Sequence, residues 1–340
     1  MTGRSILLSP RKSAPQLLVV SPALAQANNG NWHTAYRWSR MLGDDFRVSL
    51  LPQWRGVEDG DAVAMIALHA RRSALSIDAW ASHWPQRPLV VVLTGTDLYR
   101  DIRTDGDAQR SLRQATHLVA LQEHGPSVLP AAVRDKCVVI FQSAAPLHPA
   151  VKSARHLQVV MAGHLRPEKD PLTYLRAVEH LQARDDLRFE HIGKALDAAL
   201  AEAAQATAAQ CPHYRWHGEL PRGPTRQRIK HAHVLVNASV MEGGAQVVIE
   251  AVQSGTAVLA SRIGGHIGLL GEAHPGLFEV GNDRALAALI ERCRDDPSYL
   301  RTLLDHGRAR TALFSPDTER ERLLHLLQDA LRNQPLELQP

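Results

Sequence analysis

The chain is poor in cysteine: Cys137, Cys211 and Cys293 are all it has in 340 residues. An odd number of widely spaced thiols without a C-x-x-C pair excludes a disulfide framework and a cysteine zinc site, and fits a reducing, cytoplasmic setting. Long apolar runs are missing too. Stretches such as 90–93 end far short of the about 18 residues a membrane span requires, so no membrane partner is expected. Aromatics are 5% of the chain, and no basic strip carries aromatics at intervals, which speaks against a nucleic-acid-binding protein. Neither sign of charge dominates: 39 Lys plus Arg against 35 Asp plus Glu leave +4, an excess that suits an anionic ligand without locating it. Low-complexity segments and short-period repeats are absent. So is a G-x-G-x-x-G turn after Val20, which excludes the usual nicotinamide dehydrogenase pattern.

What is present is globular material, 44% hydrophobic and 22% charged, long enough for two domains of roughly 150 residues. Short apolar runs alternate with helix-like stretches, as in parallel strands joined by crossover helices. Strands are expected at 17–20, 47–50, 63–68, 89–93, 117–121 and 138–141. After the polar, Pro-bearing segment 143–153 the pattern restarts at 158–161, 187–192, 234–237 and 257–260. Helices are expected at 172–182, opened by Asp170-Pro171, and at 195–208, 284–294, 298–313 and 317–331. One trap lies at the start, where Arg4, Arg11 and Lys12 precede the apolar run 17–20 and A-x-A spacing follows at 23–27, as in a secretory signal. The run is short and starts late, and a buried first strand is the better reading. The expected class is α/β: two doubly wound, Rossmann-like domains, 1–150 and 151–315, facing a central cleft, with a last helix 316–333 packing back on the first domain.

The densest chemistry follows the strand 234–237, in Ser239-Val240-Met241-Glu242-Gly243-Gly244-Ala245-Gln246-Val247-Val248-Ile249-Glu250. Paired glycines let backbone amides approach a ligand, and a following helix presents free N–H groups to an anion. Glu250, about two turns into that helix, suits the vicinal hydroxyls of a ribose, and Glu242 lies at the loop, nearer a sugar. Downstream come Glu250-Ala251-Val252-Gln253-Ser254-Gly255-Thr256-Ala257-Val258 and Gly264-Gly265. This stretch resembles the nucleotide-sugar core of glycosyltransferase family 4, of GT-B fold, with its E-x7-E and E-A-x-x-x-G-x-P-V signatures; Ala257 replaces the usual proline. A second segment, Gly163-His164-Leu165-Arg166-Pro167-Glu168-Lys169, resembles the family's G-R-x-x-x-x-K loop. The resemblance implies that Lys169 clamps the donor diphosphate, that His164 stands where the family has arginine, and that Arg166 supplies the missing charge. Fixed cations and the amides of Gly243, Gly244 and Ala245 would then take the leaving-group charge with no metal or other cofactor.

In the first half, Gly30-Asn31-Trp32-His33 follows the first strand after Asn28-Asn29, and Gly30 stands where family members turn against the donor phosphate. Two further loops follow strands: His69-Ala70-Arg71-Arg72 and Thr94-Gly95-Thr96-Asp97-Leu98-Tyr99-Arg100-Asp101-Ile102-Arg103. Many family members read H-G-x-D in the second, and here Thr94 replaces the histidine. Arg71, Arg72, Arg100 and Arg103 either gather for a phosphate-like acceptor or pair with Asp97, Asp101 or Asp105. Taken together, the segments N-N-G-N-W-H-T-A-Y-R-W, L-H-A-R-R-S-A, L-T-G-T-D-L-Y-R-D-I, G-H-L-R-P-E-K-D-P and M-E-G-G-A resemble the selenosugar synthases of selenoneine biosynthesis. That resemblance implies a transfer from UDP-N-acetylglucosamine or UDP-glucose to the selenium of selenophosphate. The implied catalytic residues are Lys169, Arg166, Glu242 and His33. Gly30, Asn31, His164, Gly243, Gly244, Ala245 and Glu250 hold the donor, and His69, Arg71, Arg72, Thr94, Thr96, Asp97 and Arg100 the acceptor. A family 4 enzyme with a hydroxyl acceptor is the alternative. Asp59-Gly60-Asp61 and Asp105-Gly106-Asp107 match D-x-D, and His213 with His217 and His231 with His233 have ligand-like spacing; all read as turn or surface chemistry, and no metal site is expected.

Overall fold

The computed structural model describes residues 14–22, 30–56 and 62–332, together with the strand Ile6–Leu7. The chain divides into two units, Met1–Gln142 with Pro316–Pro340, and Ser143–Ser315. The Pro-bearing segment 143–153 thus belongs wholly to the second unit, and the helix Pro316–Arg332 belongs to the first.

The first unit holds a seven-stranded sheet made of β1 (Ile6–Leu7), β2 (Gln16–Val20), β3 (Arg47–Leu51), β4 (Ala62–Leu68), β5 (Leu89–Leu93), β6 (His117–Ala120) and β7 (Cys137–Val139). Their order is β1-β3-β2-β4-β5-β6-β7. All pairs are parallel except β1 with β3. The first apolar run is the strand β2, and alternation explains why it looks like a signal core. Leu17 and Val19 enter one core with Trp38, Leu42, Leu323 and Leu327, while Leu18 and Val20 enter another with Ile77, Trp80 and Leu112. A parallel strand covered on both faces needs apolar residues at every position. The A-x-A spacing at 23–27 and the Asp59-Gly60-Asp61 motif lie outside the described residues. Glu319 ties the last helix down: its fully buried carboxylate accepts Arg37 Nε at 2.9 Å, Arg37 Nη2 at 3.0 Å and Trp38 Nε1 at 2.6 Å.

The second unit is built on a six-stranded, all-parallel sheet: β8 (Leu157–Ala162), β9 (Leu187–Ile192), β10 (Tyr214–Trp216), β11 (Val234–Asn237), β12 (Ala257–Ser261) and β13 (Leu277–Phe278). The order β10-β9-β8-β11-β12-β13 winds outward in both directions from β8 and β11. One continuous core runs from Leu157 and Phe189 to Ile290 and Leu303. The expected helices 172–182, 284–294 and 317–331 run Pro171–His180, Asp283–Asp295 and Pro316–Arg332, and two others shift for a visible reason. The stretch expected at 195–208 is helical over Ala198–Gln210, because Ala195 bridges to Leu165 and Asp197 caps the helix through the Leu200 amide. The one expected at 298–313 runs Pro297–Arg310 and tightens into a 3-10 turn, Thr311–Phe314. Among the described residues no helix is long and apolar enough to cross a membrane.

Candidate active site

In a doubly wound sheet the loops after the two central strands diverge to opposite faces, and the crevice between them takes ligands. In the second unit those strands are β8 and β11. After β8 the chain passes Gly163 and His164 into the 3-10 turn Pro167–Lys169; after β11 it passes Ser239 to Glu242. The Val240 amide donates to the Glu168 carbonyl at 3.0 Å and joins the two loops. Across this seam Lys169 Nζ forms an ion pair with Glu242 Oε1, which also accepts the Ser239 hydroxyl at 2.7 Å. Burial pushes the Glu242 carboxyl up, but the Lys169 cation, the electrostatic interaction with the nearby His266 ring and the bonds from Lys169 and Ser239 outweigh it and hold it below its usual range. The two residues assigned to diphosphate and sugar are thus each other's partners. Asp170 ends the turn with φ 43°, a left-handed conformation stabilised by its cap: the Thr173 hydroxyl donates to its carboxylate at 2.6 Å.

Glu250 lies in the helix Gln246–Val252, little more than one turn from its start rather than two. It is 3% exposed, and Arg222 Nε donates to its Oε1 at 3.2 Å from the helix Arg222–His231. Burial raises the Glu250 pKa, and the nearby Arg222 and Arg226 only partly offset it. His164 does not stand in for a cation. Burial lowers its pKa, and its Nδ1 accepts the Lys194 amide at 3.1 Å, so the imidazole is neutral near pH 7. Arg166 is the charge available on that loop, with Glu168 Oε2 3.9 Å from its Nε. Gly243 and Gly244 form a bend directly before Ala245 and the helix.

In the first unit the central strands are β2 and β4. His69, immediately after β4, is 1% exposed and has φ 74°, rare for a residue with a side chain. Asp97 secures this turn, accepting the Ala70 amide at 2.7 Å and the Arg71 amide at 3.3 Å, with His69 Nδ1 3.1 Å from its Oδ1. His69 Nε2 is 3.3 Å from the Thr96 hydroxyl. Of the two fates open to the arginines, pairing prevails for two. Arg71 Nε lies 2.8 Å and Arg100 Nε 3.1 Å from the Asp101 carboxylate. These contacts hold the Asp101 carboxyl below its usual range against the opposing effect of burial, and raise the Arg71 pKa. Arg72 and Arg103 are exposed, and Thr94 is half-buried.

His69, Asp97 and Asp101 place one potential ligand atom each within 4.8 Å of one another, a group whose types could hold a metal ion. Their carboxylates are already engaged by two backbone amides and two guanidinium groups, and the cluster anchors the two loops. Asp105 of the D-x-D pair is a helix cap, accepting the Asp107 amide at 3.0 Å and the Ala108 amide at 2.9 Å. Gly30 and Asn31 open the helix Gly30–Leu42, where His33 is half-buried and Trp32 stacks on Tyr36 with centroids 5.2 Å apart; Asn28 and Asn29 are outside the described residues.

Sequence reasoning missed Arg222, 28 residues from Glu250, and His266, which lies beyond any spacing motif. His266 is fully buried, and its Nδ1 lies 2.8 Å from the Ser261 carbonyl. The signal was Gly264-Gly265 itself. A Cβ on Gly265 would sit 2.2 Å from the Glu242 carbonyl oxygen, so only glycine lets this turn pack under the Glu242 loop.

Residues 149–310 match the family described as Glycosyl transferases group 1. Among solved structures, the chain is similar to sucrose-phosphate synthase from Thermosynechococcus elongatus, with 16% identity over 94% of this chain and 99% of that one and a TM-score of 0.74. It is also similar to a glycosyltransferase from Rickettsia africae, with 15% identity over 95% and 100% of the two chains and a TM-score of 0.72. A third is HepE from Anabaena in complex with UDP-glucose, with 15% identity over 93% and 100% and a TM-score of 0.71. At these identities the likeness is one of fold, two parallel-sheet α/β units wound as in GT-B enzymes. The family match thus covers the second unit's residues 149–310, under half of the 340-residue chain, and the chain as a whole is similar to GT-B glycosyltransferases in fold.

Proposed function

We propose that the protein transfers a hexosyl group from a UDP-sugar, UDP-N-acetylglucosamine or UDP-glucose, to the selenium of selenophosphate. The observation that carries the donor half is the seam between β8 and β11, where Lys169 pairs with Glu242 and the chain continues through Gly243 and Gly244 into the helix that carries Glu250, in the stretch matched to glycosyltransferases. HepE, of the same fold, is recorded with UDP-glucose, which supports the choice of nucleotide. In the reaction the C1–O bond to UDP breaks as the C1–Se bond forms, and water then cleaves the P–Se bond to release phosphate. Lys169, Arg166 and the amides of Gly243, Gly244 and Ala245 take the charge that develops on the leaving diphosphate. Glu250 holds the ribose. The acceptor is already an anion, so attack needs no general base, which agrees with Thr94 in place of a histidine. Arg72, exposed beside the Arg71–Asp101 pair, meets the acceptor phosphate.

A hydroxyl acceptor, saccharide or lipid, is the second reading. It is favoured by His69, whose imidazole lies against Asp97 with Nε2 near Thr96, an arrangement suited to removing a proton. The two separate in one assay: UDP-sugar and selenophosphate are mixed with the protein, and UDP release and a selenium-bearing sugar are read by mass spectrometry. UDP release with saccharide acceptors but not with selenophosphate would favour the second. Arg72→Ala is expected to raise KM for selenophosphate about tenfold with UDP affinity unchanged; weakened UDP binding would move Arg72 to the donor side.

A further inference from the structure

Glu242 is a buried carboxylate with a single neutralising bond, that from Lys169. The same lysine is proposed to meet the donor diphosphate, whose charge exceeds that of a carboxylate. When the diphosphate draws or shares the Lys169 cation, Glu242 is left buried with its charge less compensated, an unfavourable state in a low-dielectric site. A second group able to become positive lies close by.

That group is His266. Its Nδ1 faces two oxygens of Ser261, the carbonyl at 2.8 Å and the hydroxyl at 3.1 Å. The Ser261 hydroxyl donates its own hydrogen to the Ser239 carbonyl, so both oxygens act as acceptors and Nδ1 carries the ring proton. Nε2 is therefore the bare nitrogen, and it is buried without a hydrogen-bond partner. The ring is fully buried, and burial keeps it neutral against the pull of Glu242, while Lys169 adds repulsion. On the adjoining segments the two nearest arginines in the chain and fold have partners of their own. Arg262 pairs with Glu279 at 3.3 Å, and Arg310, from the helix Pro297–Arg310, reaches the Gly268 carbonyl at 3.4 Å. Gly265 locks this arrangement by admitting the Glu242 carbonyl where a Cβ would stand.

We infer that His266 is the positioning residue that balances Glu242: donor binding at Lys169 draws one proton from solvent onto His266 Nε2. The inference rests on the donor reading above. Its consequence is that UDP binding tightens as pH falls, by up to tenfold per pH unit where uptake is complete.

The test is calorimetry of UDP binding at about pH 7.5 in buffers of different ionisation enthalpy, with NMR of 15N-labelled histidine on the same protein. Expected is uptake of up to about one proton per UDP bound, a shift of the His266 Nε2 resonance to its protonated position, and loss of the uptake in His266→Gln. Lys169→Met, free of ligand, should already show a protonated His266 near neutral pH. UDP bound with no proton uptake overturns the inference and leaves the donor reading standing. Uptake that persists in His266→Gln puts the proton on Glu242 and overturns it too. If His266→Gln does not fold, the wild-type NMR shift decides alone. Failure of the wild type to bind UDP overturns the donor reading, and a neutral His266 in Lys169→Met then overturns the coupling to Glu242 independently.

Discussion

Glu250 combines deep burial with two guanidinium neighbours, Arg222 at 3.2 Å and Arg226 at 3.9 Å. A carboxylate so placed can accept hydroxyl hydrogens from a ribose without losing its charge partner. Replacement of Glu250 by Ala is expected to weaken UDP binding about 10- to 100-fold, the worth of one or two hydrogen bonds to a charged group, as read by calorimetry. Unchanged affinity would remove the ribose role. The carboxylates at 242 and 250 were legible in the sequence because their spacing around glycines is local. Their partners were not. Arg222 and His266 come from other elements, and which arginine meets which acid in the first unit depends on the turn at His69 and on Asp101, which takes Arg71 and Arg100 together.

Among elements, the strands β8 and β9 end in loops that touch backbone to backbone. A Cβ on Gly193 would lie 1.9 Å from the Gly163 carbonyl oxygen, and the Trp216 indole donates to the Gly193 carbonyl at 2.9 Å. Gly193→Ala is expected to destabilise the second unit by about 1–3 kcal/mol or more, because rigid backbone, not a side chain, must give way. Gly223, in the helix Arg222–His231, has nothing within 4 Å of where a Cβ would stand. Gly223→Ala should therefore be neutral or stabilising by up to about 1 kcal/mol. Chemical denaturation of both variants checks the pair; equal effects would show that the Gly163 contact relaxes freely. The elements themselves were largely readable where apolar runs are continuous. The short strands β1, β10 and β13 were not, since runs of two or three residues leave no periodic signature.

At the scale of the whole molecule, acid should act on the second unit through its buried histidines. Burial holds His191 at about 4, and burial with the nearby His306 and Arg310 holds His274 at about 4. Unfolded, each would take up a proton near pH 6.5. Between about pH 6.5 and 4 the unfolded chain therefore binds more protons, so stability is full above this window and lost as pH falls through it. The melting temperature of the second unit, followed by calorimetry from about pH 7 to 4.5, is expected to drop steadily, and His191→Gln to flatten the slope. A melting temperature independent of pH would contradict the buried, neutral histidines. The sequence by itself determined two doubly wound α/β units and the strand–glycine–helix loop of the second, because periodicity, turn residues and local spacing act within a few residues of chain. The pairing of Lys169 with Glu242, the sharing of Asp101 by Arg71 and Arg100, and the burial of His266 next to the glycine that packs under the Glu242 loop came only with the tertiary structure. Charge pairing in a buried site depends on distance in space, and residues far apart in the chain, such as Lys169 and Glu242, meet only after the sheet has set the strand order.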